Sequence, residues 1–254
     1  MIGAQRKVFI GLPAYNEEIA VPRLLARIER QIALCDDTII VVLYNDGSTD
    51  LTVSSAQAWR ERVPLVVIGC AQNKGLGAGL RALIEYAVAN GQDNDVLVIM
   101  DCDDTHDPSQ LNEILGAIVG GADVVIASRF ARNALLRGVP LWRHITAIGA
   151  MALCKLSHPV PNVWDYTCGY RGYRIQLLRM ASARYGARLI RETGFACMVE
   201  VLLKLNALGA QFAEIPLRLR YDQKPTASKI DVSGYTRRLL LLLVQWRLRG
   251  FGDA

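Results

Sequence analysis

No apolar run in this 254-residue chain approaches the roughly 20 residues that a membrane-crossing helix needs; the stretch 239–244 near its C-terminus covers six. The six cysteines, Cys35, Cys70, Cys102, Cys154, Cys168 and Cys197, form no CxxC pair and no metal-finger spacing. That excludes a disulfide-stapled scaffold and leaves reduced thiols as the reading. Only three histidines occur, His106, His144 and His158, none with a partner motif, so no histidine-centred catalytic set is expected. Repeats and low-complexity linkers are missing as well, which excludes solenoids and disorder. Aromatic residues make up 7% of the chain and form no interleaved stripe with basic ones, so nucleic acid is not an expected partner. No apolar leader precedes the run at 8–12, and secretion is not expected either.

What is present begins with a core: 52% of residues are apolar and 21% charged, enough for one large α/β domain or two small ones. The net charge of +5 conceals an asymmetry. Residues 1–128 hold 9 Lys and Arg against 17 Asp and Glu, whereas residues 129–254 hold 20 against 7. An acidic half suits cation holding, and a basic half suits anions or a membrane surface.

Five apolar runs of strand length stand at 8–12, 38–43, 65–68, 96–100 and 124–127. Segments of helical periodicity separate them, such as Val21, Leu24, Leu25, Ile28 and Ile32. This alternation predicts a mostly parallel sheet covered by helices on both faces. Beyond residue 129 the pattern predicts helices over 140–156, 175–185 and 196–208, a loop over 157–169 and a strand over 212–219. In open sheets of this kind ligands sit beyond the carboxyl ends of the strands, which directs attention to four segments.

After the fourth strand comes Asp101-Cys102-Asp103-Asp104-Thr105-His106-Asp107-Pro108. In extended chain, positions i and i+2 point the same way, so Asp101 and Asp103 can converge on a cation while Asp104 faces elsewhere. Two carboxylates with open positions suit Mg²⁺ or Mn²⁺, and His106 stands beside them. Asp107 before Pro108 reads as a helix N-cap. The first strand leads to Pro13-Ala14-Tyr15-Asn16-Glu17, where Asn16 reads as a cap of the next helix. The second ends in Asn45-Asp46-Gly47-Ser48, a turn whose Asp46 can accept hydrogen bonds from a base or ribose. The third leads to Asn73-Lys74-Gly75-Leu76-Gly77, whose amides can approach a phosphate or sugar. Its GxGxG spacing does not match the dinucleotide fingerprint.

In these segments the sequence resembles the family 2 glycosyltransferases of GT-A fold, and within them the dolichol- or polyprenyl-phosphate mannose synthase group. The matching motifs continue with Ser128-Arg129-Phe130, Asp165-Tyr166-Thr167-Cys168-Gly169-Tyr170-Arg171, Glu214-Ile215-Pro216 and Ser228-Lys229, in the family's order. The resemblance implies a GT-A, Rossmann-like, mostly parallel sheet flanked by helices. It also implies an inverting, metal-dependent transfer of a hexose, mannose or glucose, from a GDP- or UDP-sugar to dolichyl or undecaprenyl phosphate. Pro13, Tyr15, Glu17, Asp46 and Gly75 would hold the donor, with Cys102 adding a backbone contact. Asp101 and Asp103 would bind Mg²⁺ or Mn²⁺, Lys229 would close over the diphosphate, and Arg129 and Arg143 would face the acceptor phosphate. Asp165 is the candidate base for a hydroxyl acceptor; a carboxylate held by loop amides is the alternative.

Several positions depart from the family pattern. Asn45 replaces the first of two aspartates, Ala147 and Ile148 stand where Ser and often Arg are usual, and the closing loop reads Asp222-Gln223-Lys224-Pro225-Thr226 instead of Arg and Gly before Ser-Lys. A soluble hydroxyl acceptor, or a non-catalytic nucleotide-sugar-binding protein, therefore remain alternatives. Residues 1–230 are expected to form the GT-A domain. Residues 231–254 are expected to form an amphipathic helix whose leucines and flanking arginines suit a membrane surface, a membrane-anchored partner or the domain itself. The expected location is cytoplasmic and peripheral, at the cytosolic face of a membrane.

Overall fold

The structure is a computed structural model that describes residues 5–224 and 232–249. The chain runs β1 (Lys7–Ala14), α1 (Ala20–Ile32), β2 (Thr38–Asp46), α2 (Thr52–Gln57), β3 (Leu65–Cys70), α3 (Leu76–Asn90), β4 (Val96–Ile99), α4 (Leu111–Val119) and β5 (Val124–Ser128). Then follow β6 (Leu135–Arg137), α5 (Leu141–Ser157), β7 (Arg171–Arg174), α6 (Ile175–Tyr185), α7 (Cys197–Asn206), β8 (Phe212–Pro216), β9 (Arg218–Arg220) and α8 (Val232–Arg249). Seven strands form one sheet in the order β3-β2-β1-β4-β7-β5-β8, and β6 and β9 make a small second ladder.

The five apolar runs are strands β1 to β5, with ends within three residues of those predicted. Strands β1, β4 and β5 are buried on both faces, as interior strands of such a sheet demand, with no exposure of Val8, Phe9, Ile10 and Leu12 of β1 or of Val96, Leu97 and Val98 of β4, whereas edge strand β3 is only half-buried. Helix α1 lays Val21, Leu24, Leu25 and Ile28 on the sheet, and α3 lays Leu80, Leu83, Ile84 and Ala87.

Two features were not predicted. Strand β7, Arg171-Gly172-Tyr173-Arg174, lies antiparallel between β4 and β5 at the middle of the sheet. With two arginines and a glycine it carries no apolar run for periodicity to detect. It is stable there because Arg171, fully buried, donates to the carbonyls of Tyr166, Cys168 and Met198. The predicted strand over 212–219 is also two strands, bent at Leu217: β8 joins β5, whereas β9 leaves the main sheet to pair with β6. Buried Gln110 fixes that bend, donating to Pro216 O at 2.6 Å and accepting from Arg218 N at 2.7 Å.

Helix α8 buries Leu239, Leu242, Leu243 and Trp246, an i, i+3, i+4, i+7 stripe, while Leu240, Leu241, Val244 and Leu248 are exposed. The ring of Trp246 meets His158 edge-on at 6.4 Å, just past the end of α5. Both faces of this helix are thus apolar. Among the described residues no helix is long and apolar enough to cross a membrane.

Candidate functional site

The carboxyl ends of β1, β2 and β4 open into a cleft of about 1400 Å³. Pro13, Tyr15, Glu17, Asp46, Gly75, Asp101, Cys102, Asp103, Arg129 and Arg143, spread over more than half of the chain, all line it. Asp165 lies behind the wall, and Lys229 falls outside the described residues.

The side of the cleft at the ends of β1 and β2 is built from turns locked by backbone. Asp46 accepts from Lys74 N at 2.8 Å and Gly75 N at 2.9 Å, so its carboxylate clamps the turn before α3 as well as facing the cleft. Gly75 stands at φ 85°, a conformation that an L side chain resists. Gly77 packs so closely on the segment before α7 that an added Cβ would lie 1.8 Å from Glu192 O, and its amide donates to Thr193 O at 2.9 Å. Asn16 is not a helix cap. It takes φ 53° and accepts from Thr49 N at 2.8 Å while its amide donates to Ser48 Oγ, joining the first and second strand-end turns.

Beyond β4 the chain bends at residues 102–104 instead of running extended, and Cys102 lines the cleft with its two neighbours. Asp101 and Asp103 line the cleft, and Asp104, at φ 61°, turns away to Arg27 at 2.8 Å. The same Arg27 reaches Asp107 at 3.0 Å, and Asp107 caps the following turn by accepting from Ser109 N at 3.1 Å. Asp101 N donates to His106 Nδ1 at 3.0 Å, which leaves the histidine's proton on Nε2, 3.9 Å from Asp101 Oδ2. Burial, with the nearby charge of Asp103 adding to it, pushes the Asp101 carboxyl up from its ordinary value, although His106 opposes this. Burial would raise Asp103 too, but the ammonium of Lys224, His106 and a 2.6 Å hydrogen bond from Thr105 Oγ1 bring it below that value. Lys224 Nζ contacts Asp103 Oδ2 directly. A pair of hard oxygen donors that already holds one cationic group fits a divalent ion whose shell phosphates and water complete. Among the described residues no larger group of His, Cys, Asp or Glu is placed to hold a metal.

The wall around Arg129 and Arg143 combines backbone and side-chain contacts. Arg129 meets Asp165 through its backbone N at 2.9 Å, Nε at 2.7 Å and one terminal nitrogen, which also contacts Thr167 Oγ1. Asp165 is fully buried and also accepts from Thr167 N and Cys168 N. Its own amide donates at 2.6 Å to Glu214 Oε1, which orients the loop. Burial alone would raise the Asp165 carboxyl; the Arg129 charge and hydrogen bonds outweigh it and hold the group below its ordinary value of 3.8. Arg143 of α5 lies 5.0 Å from the Trp142 ring centre and 4.9 Å from that of Tyr221. On either side of it, Leu141, Trp142, Ile145 and Ile148 stand exposed along α5.

Sequence reasoning missed two contributors. Lys224 was noted only as a departure in the closing loop, and the cleft-lining segment Arg191-Glu192-Thr193 carries no motif. The close-spaced Gly75 and Gly77 were its one available signal, since both glycines admit that segment.

The model of glycosyl transferase family 2 matches residues 9–180. The chain belongs to glycosyl transferase family 2. A polyprenol monophosphomannose synthase of Mycolicibacterium smegmatis is 26% identical over 96% of this chain and 88% of that protein. A dolichyl-phosphate hexose transferase of Haloferax volcanii is 30% identical over 85% and 83%. A dolichol-phosphate mannosyltransferase of Pyrococcus furiosus is 28% identical over 78% of this chain, which spans only 53% of that relative's length. Among solved structures, glucosyl-3-phosphoglycerate synthase of Mycobacterium tuberculosis, crystallised with Mn²⁺, UDP and phosphoglyceric acid, superposes with a TM-score of 0.65 at 19% identity. It covers 97% of this family 2 chain, with 79% of its own length matched, and supports the GT-A fold.

Proposed function

We propose that this protein transfers a hexosyl group from a GDP- or UDP-sugar to a polyprenyl phosphate by a single inverting displacement. The observation that carries this reading is the pairing of Arg129 with buried Asp165. The carboxylate is engaged from three sides, which suits holding a cation for an anionic acceptor better than taking a proton from a hydroxyl. A phosphate acceptor is an anion near neutral pH and needs orientation more than deprotonation. The names of the mycolicibacterial and haloarchaeal relatives agree with that acceptor.

In this mechanism Pro13, Tyr15, Glu17 and Asp46 hold the nucleoside, and the Lys74-Gly75 turn brings backbone to the donor. Asp101 and Asp103 would hold Mg²⁺ or Mn²⁺ there, with Cys102 between them in backbone contact with the donor. Such an ion supplies charge neutralisation of the leaving diphosphate. Arg129 and Arg143 draw the acceptor phosphate to the opposite end of the cleft, in line with the sugar. Asp165 and Glu214 act through Arg129, fixing its fork. Lys229 is assigned closure over the diphosphate from sequence alone.

The exposed stripes of α5 and α8, with Arg237 and Arg247 exposed beside the latter, combine apolar surface and positive charge, which supports a lipid acceptor. We assign this face to an anionic membrane surface, and peripheral attachment follows. The test is to screen GDP- and UDP-hexoses with polyprenyl phosphate, in detergent and in vesicles. Product on the lipid phosphate, formed faster in anionic vesicles, is expected. Transfer to water-soluble hydroxyl acceptors alone overturns the reading.

A further inference from the structure

The aspartate pair is already occupied by a cationic group from within the chain. Lys224 Nζ contacts Asp103 Oδ2, and the two side chains are 15% and 13% exposed, so water competes little for either. The approach is built rather than accidental. Strand β9 is stitched to the aspartate loop by Arg220 N donating to Thr105 O at 2.8 Å and by a bridge between His106 and Leu219. A single turn of chain, Tyr221–Gln223, separates that strand from Lys224, whose own backbone is extended and whose amide donates to Tyr221 O. The ammonium also lies 5.8 Å from the Tyr221 ring centre, and that ring is the one beside Arg143.

Two carboxylates and one ammonium leave the site with a charge of about −1, whereas adding a divalent ion beside the ammonium would leave it positive. The two cations repel at this range, so they exclude one another unless a further anion arrives.

We propose that Lys224 is an internal counter-cation of Asp101 and Asp103. It half-neutralises the pair in the unliganded protein, is displaced when a divalent ion binds, and then takes the donor diphosphate as its new partner. This rests on the metal-binding reading above and adds an order to it: metal alone must compete with Lys224, whereas metal with nucleotide does not. Lys224 thereby couples the two ligands. Metal in the absence of donor is held weakly, and the nucleotide strengthens metal binding by compensating the released ammonium.

The test is Mn²⁺ titration of the full chain, followed by the electron paramagnetic resonance signal of free Mn²⁺, with and without GDP or UDP. Lys224→Met keeps the stem and removes the charge, and Lys224→Arg keeps the charge. Without nucleotide, the Lys224→Met protein is expected to bind Mn²⁺ about tenfold tighter than wild type, the factor for a site open only a tenth of the time. With nucleotide present the advantage is expected to vanish or reverse. Lys224→Arg is expected to stay within about threefold of wild type in both conditions. Unchanged or weaker Mn²⁺ binding by Lys224→Met without nucleotide overturns the proposal, provided wild type binds Mn²⁺ with nucleotide. If neither protein binds Mn²⁺ even with GDP and UDP, the metal-binding reading itself is overturned and the counter-cation role falls with it. Circular dichroism before titration confirms that each variant is folded.

Discussion

The two ends of the cleft are assembled by different means. At the donor end, carboxylates and carbonyls are fixed by backbone amides: Lys74 N and Gly75 N on Asp46, Gly77 N on Thr193 O, Thr49 N on Asn16. At the acceptor end, a guanidinium is held by a buried carboxylate and another lies beside two rings on the rim of a helix with exposed leucine and isoleucine. Backbone contacts tie the donor end to the sheet itself. At the acceptor end buried Asp165 is likewise held by backbone amides, but the Arg143 wall depends on which side chains are there, so sequence can vary that wall without disturbing the fold. This matches the sequence, where the departures Ala147 and Ile148 both fall on the acceptor wall.

The sharpest way to test that contrast is to remove donor-end charge. Asp101→Ala and Asp103→Ala are each expected to lower kcat by on the order of 10²–10³, measured as nucleoside diphosphate release, with thermal stability unchanged or raised in Asp101→Ala because one of two neighbouring like charges is gone. Near-wild-type turnover in either variant breaks the assignment. Next in size, Gly77→Ala forces a side chain onto Glu192 O and is expected to cost about 1–3 kcal/mol in urea unfolding. Its KM for the donor should rise more than its KM for the acceptor, and an equal rise would erase the distinction between the ends.

A smaller effect is expected on the acceptor wall. The folded-state value of Asp165 is depressed, so its ion pair stabilises the protein above the ordinary carboxylate value of 3.8 and that contribution is lost as pH falls below it. Asp165→Asn should therefore be less stable than wild type at neutral pH, with the difference shrinking in acid; equal stabilities at neutral pH contradict the sign. Smallest, Leu141→Ser with Ile145→Ser, both exposed and outside the cleft lining, should weaken binding to anionic vesicles by about 1 kcal/mol per residue. Turnover on a short-chain, detergent-dispersed acceptor should be preserved, and unchanged vesicle binding removes α5 from the membrane face.

Much of this was legible in the sequence, for a physical reason in each case. Strands buried on both faces announce themselves as apolar runs, and strand-end turns carry Asp, Asn and Gly because those residues supply the turn's hydrogen bonds and dihedrals. Ten candidate residues accordingly meet in one cleft. Strand β7 was not legible, since its arginine is stabilised by three carbonyls, two in the loop just before it and one from the distant Met198, instead of by an apolar neighbour. Lys224 escaped for a similar cause: its partner Asp103 is 121 residues away, and nothing local marks a lysine before a proline as a cation for that carboxylate. The double role of α8, with one leucine stripe packed and the next exposed, cannot be read from a uniform run of leucines.

The antiparallel β7 also bears on how the chain must be made. Because it fills the gap between β4 and β5, a nascent chain that has emerged only as far as Ser128 presents two apolar strand edges with nothing between them. At roughly 5–20 residues per second, about 2–9 s pass before Arg174 is synthesised. Throughout that interval Val96–Ile99 and Val124–Ser128 are templates for the wrong partner. The sheet is closed from its centre by one of its later pieces, so synthesis at high local concentration, or truncation before residue 174, exposes the surface that the finished molecule buries most completely.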